Sequence, residues 1–504
     1  MIRFITALSI IITLALLAGN CTSGNKNEEI AKKYCSSCHL FPEPSLLDKE
    51  KWKINVLPGM GLLMGVRIVA NNPFEEIDAP FDHRPSAVPD EDWQRIIKYY
   101  LTESPATNKL QQRPPVQKFT NLFLTRQPPA TGTFPANTFL KIDPGNQWIY
   151  AANRTDSSLY LYDAQLNLLQ KQNLHGVVVD MLFENDLRQA GTRDGMFTII
   201  GIMDPNDYKT GSVHSFQMNE KGQVFGQTKL FDTLPRPVQT VMADLDADGK
   251  QDYLVCGFGN QQGGFFWMHN RGDNRYERKL LSNLPGAIKA YVEDFNKDGL
   301  PDIITLFAQA QEGIYLFLNK GNGTFEKQAL LRFPPVYGSS YFELCDVNGD
   351  GRKDIIYTCG DNADYSFKAL KNYHGVYIFL NNGNLSFSQA CFFPIHGAYK
   401  AVARDFDKDG DIDIAAISFF PDYKNQPQEA FVYLENKGAL QFEPFTIKEF
   451  GQGHWITLDA ADVDKDGDDD IVIGSLYLPY QKNEKQEDLL RKPFFLLLLN
   501  QTIK

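Results

Sequence analysis

Residues 405–413 read DFDKDGDID, five aspartates at alternate positions around one glycine. The same pattern, D-x-[DN]-x-D-G-x-x-D, occurs four more times: DLDADGKQD from Asp244, DFNKDGLPD from Asp294, DVNGDGRKD from Asp346 and DVDKDGDDD from Asp462. Successive starts are 50, 52, 59 and 57 residues apart. Recurrence at such a period marks a propeller or a linear array. Apolar runs follow each copy at once: DYLVCGF, DIITLF, DIIYTC, DIAAISFF and DIVIGSLY. These have the composition of strands, so each acidic loop is expected to join one strand to the next.

Carboxylates crowded this densely repel one another unless a cation sits among them. Hard oxygen donors at alternate positions suit Ca²⁺, and the glycine at position 6 permits the sharp turn. The candidate ligands are Asp244, Asp246, Asp248, Lys250 and Asp252; Asp294, Asn296, Asp298, Leu300 and Asp302; Asp346, Asn348, Asp350, Arg352 and Asp354; Asp405, Asp407, Asp409, Asp411 and Asp413; and Asp462, Asp464, Asp466, Asp468 and Asp470. The seventh-position residue of each set offers only its backbone carbonyl, which explains its varied chemistry. An EF-hand needs glutamate at position 12. That position is Val255, Thr305, Tyr357, Ala416 and Ile473 here, and strands follow where an exit helix would be needed. The repeats resemble the FG-GAP/VCBS family, known from integrin α-subunit propellers and exported bacterial proteins. The resemblance implies up to five Ca²⁺ ions that brace blades.

Each unit continues with a third strand and a turn, as in IYLFLNKGNGTF, VYIFLNNGNLSF and FVYLENKGALQF, and then an outer strand. Four-stranded units around an axis make a propeller. Five blades are explicit. The stretch HGVVVDMLFENDLRQAGTRDGMFTIIGIMD reads as a degenerate sixth and TFLKIDPGNQWIYAANRTDSSLYLYD as a shortened seventh. The final KPFFLLLLNQTIK matches a third strand, and the missing fourth is expected from FTNLFLTR, residues 119–126, a closure that removes an exposed edge.

The 504 residues exceed one ordinary domain, and 43% hydrophobic and 12% aromatic content supports a packed core. Net charge is −12, with no basic stripe, which argues against a nucleic-acid binder. Five Ca²⁺ would bring ten positive charges against that total. The start MIRFITALSIIITLALLAGNC has one arginine and then an apolar run, the form of a secretory signal. Cys21 is the candidate lipidation site, with Asn20 an imperfect fit to the lipobox. Cleavage nearer Ser23 and an uncleaved anchor are the alternatives. All three place the rest of the chain outside the cytoplasm, on the periplasmic or cell-surface side.

Residues 34–44 read YCSSCHLFPEP. No second cysteine or histidine pair lies near enough for zinc, and a thioredoxin-type CxxC lacks its βαβ setting. C-x-x-C-H is the attachment signature of c-type haem: Cys35 and Cys38 would bond the vinyl groups and His39 the iron. The helix-like VPDEDWQRIIKYYLTES puts Trp93, Ile96, Ile97, Tyr100 and Leu101 on one face. Residues 25–105 resemble a class I monohaem cytochrome c, which implies a methionine as sixth ligand. Met60 after Pro-Gly is preferred, Met64 is the alternative, and His83 is the outside candidate.

The reading is therefore a multidomain chain: signal 1–21, a small all-α cytochrome c-like domain 25–105, a linker 106–117, and an all-β propeller 118–504 with seven four-stranded blades. Cys256, Cys345, Cys359 and Cys391 read as small packed hydrophobes. A binding or catalytic site is expected where the segments leading into the first strands converge on the channel. Lys289, His396, Tyr399, Lys400, His454 and Trp455 are its candidates, for an anionic or sugar-like ligand. Three functions compete: electron transfer through the haem with the propeller as a docking platform, a sugar or alcohol dehydrogenase that reduces its own haem, and adhesion or glycan binding. The redox partner or substrate is not readable, and the lipid anchor is the expected tie to a membrane.

Overall fold

The computed structural model describes residues 26–66, 86–110, 115–184, 191–362, 369–477 and 486–502. His83 and Cys21 lie outside these. The chain divides into two compact units, Met1–Asn108 and Lys109–Lys504.

The first unit is helical. Helix α1 (Lys26–Cys35) opens on Glu28 and Glu29 and closes on Lys32 and Lys33, charges that complement the helix dipole. A continuous helical run, α2, passes from Lys49–Lys51 through a π-helical stretch, Trp52–Val56, to Leu57–Leu63. Asp48 caps its start by accepting from the Lys51 N–H at 3.0 Å. Helix α3 (Asp90–Glu103) follows Pro89, with three acids in its first turn. Its buried face is Trp93, Ile96, Tyr99 and Tyr100; Tyr99 replaces Ile97 and Leu101, which stay half-buried. Helix α3 packs on α1, and the Tyr34 hydroxyl donates to Asp92 at 2.9 Å. Tyr100 donates to the Pro42 carbonyl, and the Trp52 indole N–H to that of Pro44, each at 2.9 Å.

The second unit is seven sheets in a ring. Blade 1 holds Asn137–Asp143, Trp148–Asn153, Ser158–Asp163 and Leu168–Asn173. Blade 2 holds Val178–Phe183, Thr192–Ile199, Gly211–Asn219 and Val224–Leu234. Blade 3 runs Pro237–Ala243, Asp252–Gly257, Gly264–Asn270 and Tyr276–Ser282. Blade 4 runs Ala287–Glu293, Asp302–Phe307, Gly313–Asn319 and Phe325–Arg332. Blade 5 comprises Ser339–Cys345, Asp354–Cys359, Gly375–Asn381 and Phe387–Pro394. Blade 6 comprises Ala398–Arg404, Asp413–Ser418, Phe431–Asn436 and Phe442–Thr446. Blade 7 joins Trp455–Ala461, Asp470–Ser475 and Phe495–Asn500 to Phe123–Arg126 from the start of the unit. Neighbouring strands within every blade are antiparallel, and Phe123 lies opposite Asn500.

The ring is a seven-bladed propeller: the first strands of successive blades lie against one another round the full circle, blade 7 meeting blade 1. The closing strand comes from the stretch expected. Lys118–Phe119, just before it, instead pairs in parallel with the outer strand of blade 6. Blade 1, expected to be shortened, has four full strands; only its turns are short. The second strands of the five loop-bearing blades are buried at every residue, so their apolar runs form the cores between sheets. Cys256 and Cys359 are buried there, Cys345 and Cys391 half-buried, and all four are free thiols.

Candidate functional site

The five acidic loops share one architecture. Gly249, Gly299, Gly351, Gly410 and Gly467 have φ between 81° and 103°, a region open to glycine. Each gives its N–H to the first aspartate of its loop, at 2.7–3.2 Å. The ninth-position aspartates, Asp252, Asp302, Asp354, Asp413 and Asp470, are at most 1% exposed. Each accepts from the backbone N–H of its loop's second residue and from that of an asparagine ending the third strand: Asn270, Asn319, Asn381, Asn436 or Asn500. The asparagine side chain donates back to the eighth-position carbonyl. A buried carboxylate needs such donors.

In three loops the carboxylates of positions 1, 3 and 9 converge with ligand atoms within 4.8 Å: Asp244, Asp246 and Asp252; Asp405, Asp407 and Asp413; Asp462, Asp464 and Asp470. Burial, with neighbouring carboxylates adding to it, pushes Asp407 up to about 6 and Asp413 and Asp470 up to about 7. In the other two loops an amide stands at position 3, and Asn296 and Asn348 donate to Asp298 and Asp350 at 2.8 and 3.0 Å. Outside the loop of blade 3, which the His269 imidazole also enters, the donor set is all-oxygen and its crowding is of the kind a divalent cation relieves, so these residues fit Ca²⁺.

The channel is lined by the first strands. Each of the seven carries a bulge between its first and third residues, at Asn137/Phe139, Val178/Asp180, Pro237/Gln239, Ala287/Lys289, Ser339/Tyr341, Ala398/Lys400 and Trp455/Thr457. A bulge re-aims the side chain that follows it. Of the expected candidates, Lys289 and Lys400 are brought together. Their ammonium groups lie 5.8 and 4.7 Å from the ring centre of Tyr341, which stands between them on blade 5. Both are half-buried by surface exposure, yet protein crowds them on all sides, as in a narrow channel. Burial lowers Lys289 and takes Lys400 down to about 8, against the pull of Asp180 on the former and Asp459 on the latter.

The channel acids tie the ring. Asp180 accepts from Thr240 N–H, Glu343 from Ala403 N–H and Asp459 from Ile142 N–H, at 2.8–3.0 Å, each across to the next blade. Gln239 does the same for Ala290 at 2.7 Å, and Arg404 donates to Glu343 at 2.9 Å. The remaining candidates sit among packed side chains. Trp455 is fully buried and gives its indole N–H to the Phe450 carbonyl. His396 is buried, with its backbone N–H on Glu429. Tyr399 lies against Phe419, and His454 between Tyr423 and Tyr477.

In the helical unit, Cys35 is buried at the end of α1, Cys38 is exposed, and His39 is 7% exposed. The His39 Nδ1 lies 2.9 Å from the Leu40 carbonyl, which favours the Nδ1–H tautomer and turns the lone pair of Nε2 to any metal. Met60, the preferred sixth-ligand candidate, is helical, within Leu57–Leu63. Met64 caps that helix, and both are half-buried. Two thiols and an imidazole in the order Cys35, Cys38 and His39 are the donor types that hold haem c.

Seven four-stranded sheets closed in a ring, five of them with an acidic loop between their first and second strands, define a seven-bladed β-propeller. The FG-GAP-like repeat family matches residues 244–305, 294–357 and 405–473. Among solved structures, the chain is similar to a streptogramin B lyase (10% identity, 75% of this chain and 98% of that one, TM-score 0.45). It is also similar to the Dos1 propeller (7%, 72% and 77%, TM-score 0.43) and to a putative 6-phosphogluconolactonase from Bacteroides uniformis (14%, 62% and 85%, TM-score 0.39). Comparison with curated proteins gives no match.

Proposed function

We propose that this chain is an exported electron-transfer protein that carries one covalent haem c on its helical unit and uses a Ca²⁺-braced FG-GAP propeller as a docking platform. The observation that carries this reading is the Cys35–Cys38–His39 constellation at the end of α1, with His39 buried and its Nδ1 held by Leu40. Cys35 and Cys38 would hold the porphyrin through thioethers, His39 would be the proximal ligand, and Met60 or Met64 the distal one. The haem, when bound, supplies one-electron chemistry. The aromatic cluster of Phe41, Trp52, Tyr99 and Tyr100 would exclude water around it. The acidic loops would take Ca²⁺, and their bridging asparagines would pass that bracing to the third strands. A signal at residues 1–21, with Cys21 as lipid anchor, would place the protein on the outer side of a membrane, where c-type haem is attached.

The test is expression of the full chain in a host that matures c-type cytochromes. One covalent haem per chain is expected, with Cys35→Ser/Cys38→Ser abolishing it while the propeller still folds. A folded wild-type chain that emerges without covalent haem overturns the reading.

A further inference from the structure

Blade 3 departs from the other loop-bearing blades at one position. The residue before the bridging asparagine is Leu318, Leu380, Glu435 and Leu499 in blades 4, 5, 6 and 7, and it is His269 in blade 3. His269 is 4% exposed and stacks on Trp267 with ring centres 4.7 Å apart. Its Nε2 is aimed into the acidic loop, 2.8 Å from Asp246 Oδ2. Asp246, Asp248 and His269 bring ligand atoms within 4.8 Å of one another, and Asp246 also belongs to the set with Asp244 and Asp252.

Asp246 Oδ1 is buried without a hydrogen-bond partner among the described residues. A hydrogen bond from His269 Nε2 to Asp246 Oδ2 alone would leave that oxygen unpaired, whereas a cation shared by Asp246 and His269 would satisfy it. Trp267 fixes the ring plane, so the imidazole is presented to the loop at little conformational cost. Asp244 and Asp252 are already held by backbone N–H groups. Asp248 is engaged by Lys250 at the surface, an exposed pair that a cation can displace.

We infer that the blade 3 loop is a mixed nitrogen–oxygen centre that takes Zn²⁺ in preference to Ca²⁺, with His269, Asp246 and Asp248 as protein ligands and water completing the shell. Ca²⁺ takes oxygen donors, whereas imidazole with carboxylates suits Zn²⁺. The inference rests on the reading of the loops as cation sites, and it makes one of the five differ in kind from its sisters.

The test uses the full-length chain with Cys35→Ser/Cys38→Ser, so that the thiols do not compete, stripped of metal and held in excess Ca²⁺. Zn²⁺ is titrated calorimetrically, and Co²⁺ serves as the spectroscopic probe. One Zn²⁺ per chain is expected to resist Ca²⁺, with Co²⁺ giving visible d–d bands. His269→Leu copies the sister blades and keeps the ring's packing. It is expected to weaken Zn²⁺ by at least about 100-fold, since loss of an outer-shell partner alone costs 10–100-fold. Asp405→Asn, in blade 6, is expected to leave Zn²⁺ binding unchanged. His269→Gln, with the same thermal melt as the parent chain, guards against a folding artefact. Zn²⁺ affinity that survives His269→Leu and His269→Gln within a few-fold, or Zn²⁺ displaced by Ca²⁺ at every loop, overturns the inference. A His269-dependent Zn²⁺ site in a chain whose other loops ignore Ca²⁺ supports it and removes the calcium reading instead.

Discussion

Truncating Phe123 to alanine tests the ring closure directly. Phe123 is 8% exposed and meets Phe406 and Tyr433 edge-on, with ring centres 5.8 and 5.6 Å away. It belongs to the core shared by blades 6 and 7, with Trp455, Leu496 and Leu498. Phe→Ala in a core costs about 3–5 kcal/mol, and a site near the rim falls at the lower end, ~3 kcal/mol. Unfolding entropy of ~2.1 cal/mol/K per residue over the unit gives roughly 0.8 kcal/mol/K, so the propeller melt should drop by about 4 °C. The neighbour Leu124 is 46% exposed on the same strand. Leu124→Ala should cost no more than ~0.5 kcal/mol, a shift under about 1 °C. Differential scanning calorimetry of the full chain measures both. Equal shifts for the two variants, or none for Phe123→Ala, would mean that residues 123–126 do not close blade 7.

Glu312 is buried, accepts from Ser339 N–H and Oγ–H at 3.2 and 2.8 Å, and burial pushes its carboxyl up to about 8. A raised carboxyl contributes stability that is fully present below its ordinary value of 4.5 and is lost as pH rises through about 8. The melt should therefore fall across that window, and Glu312→Gln should flatten the slope; an unchanged slope refutes the assignment. Chelating Ca²⁺ should lower the propeller melt while leaving the helical unit's transition in place. A loop saturated a thousandfold above its Kd adds about 4 kcal/mol, or roughly 5 °C on the same entropy, and an unmoved melt removes calcium from the loops.

Most of the propeller could be read from the chain because its repeats state position, period and strand type together. The closing strand was legible from what the last blade lacked, although Lys118–Phe119 joined blade 6 by a parallel pairing that no periodicity announces. The bridging asparagines stand in the sequence as the N of HN, LN, LN, EN and LN at the end of each third strand, 17 to 30 residues after the ninth aspartate, but that pairing becomes evident only when strands two and three lie side by side. The channel divided the candidates. Lys289 and Lys400 meet because bulges recur at one register in every first strand. Trp455 sits at nearly the same register yet is fully buried, with its indole N–H on the Phe450 carbonyl, and sequence spacing does not encode that difference. Asp180, Glu343 and Asp459 were missed because each acts on the next blade's backbone, a contact with no local signature. In the helical unit, Pro58 and Gly59 before Met60 carry no helix signal, yet Leu57–Leu63 continues the helical run that begins at Lys49.

The pairing of Phe123–Arg126 with Phe495–Asn500 also orders events during synthesis. The first of these strands leaves the ribosome before any blade exists, and its partner follows six complete blades. Joining such distant segments adds only slowly to the equilibrium cost of closure, because that cost grows with the logarithm of the intervening length. It weighs more on the rate, since contacts remote in the chain form late. Until they form, the third strand of blade 7 presents an unpaired edge to every neighbouring chain. A nascent chain that stalls before its last strand leaves Asp470–Ser475 and Phe123–Arg126 without the strand that joins them, so completion of the ring is also a check that translation reached the end of blade 7.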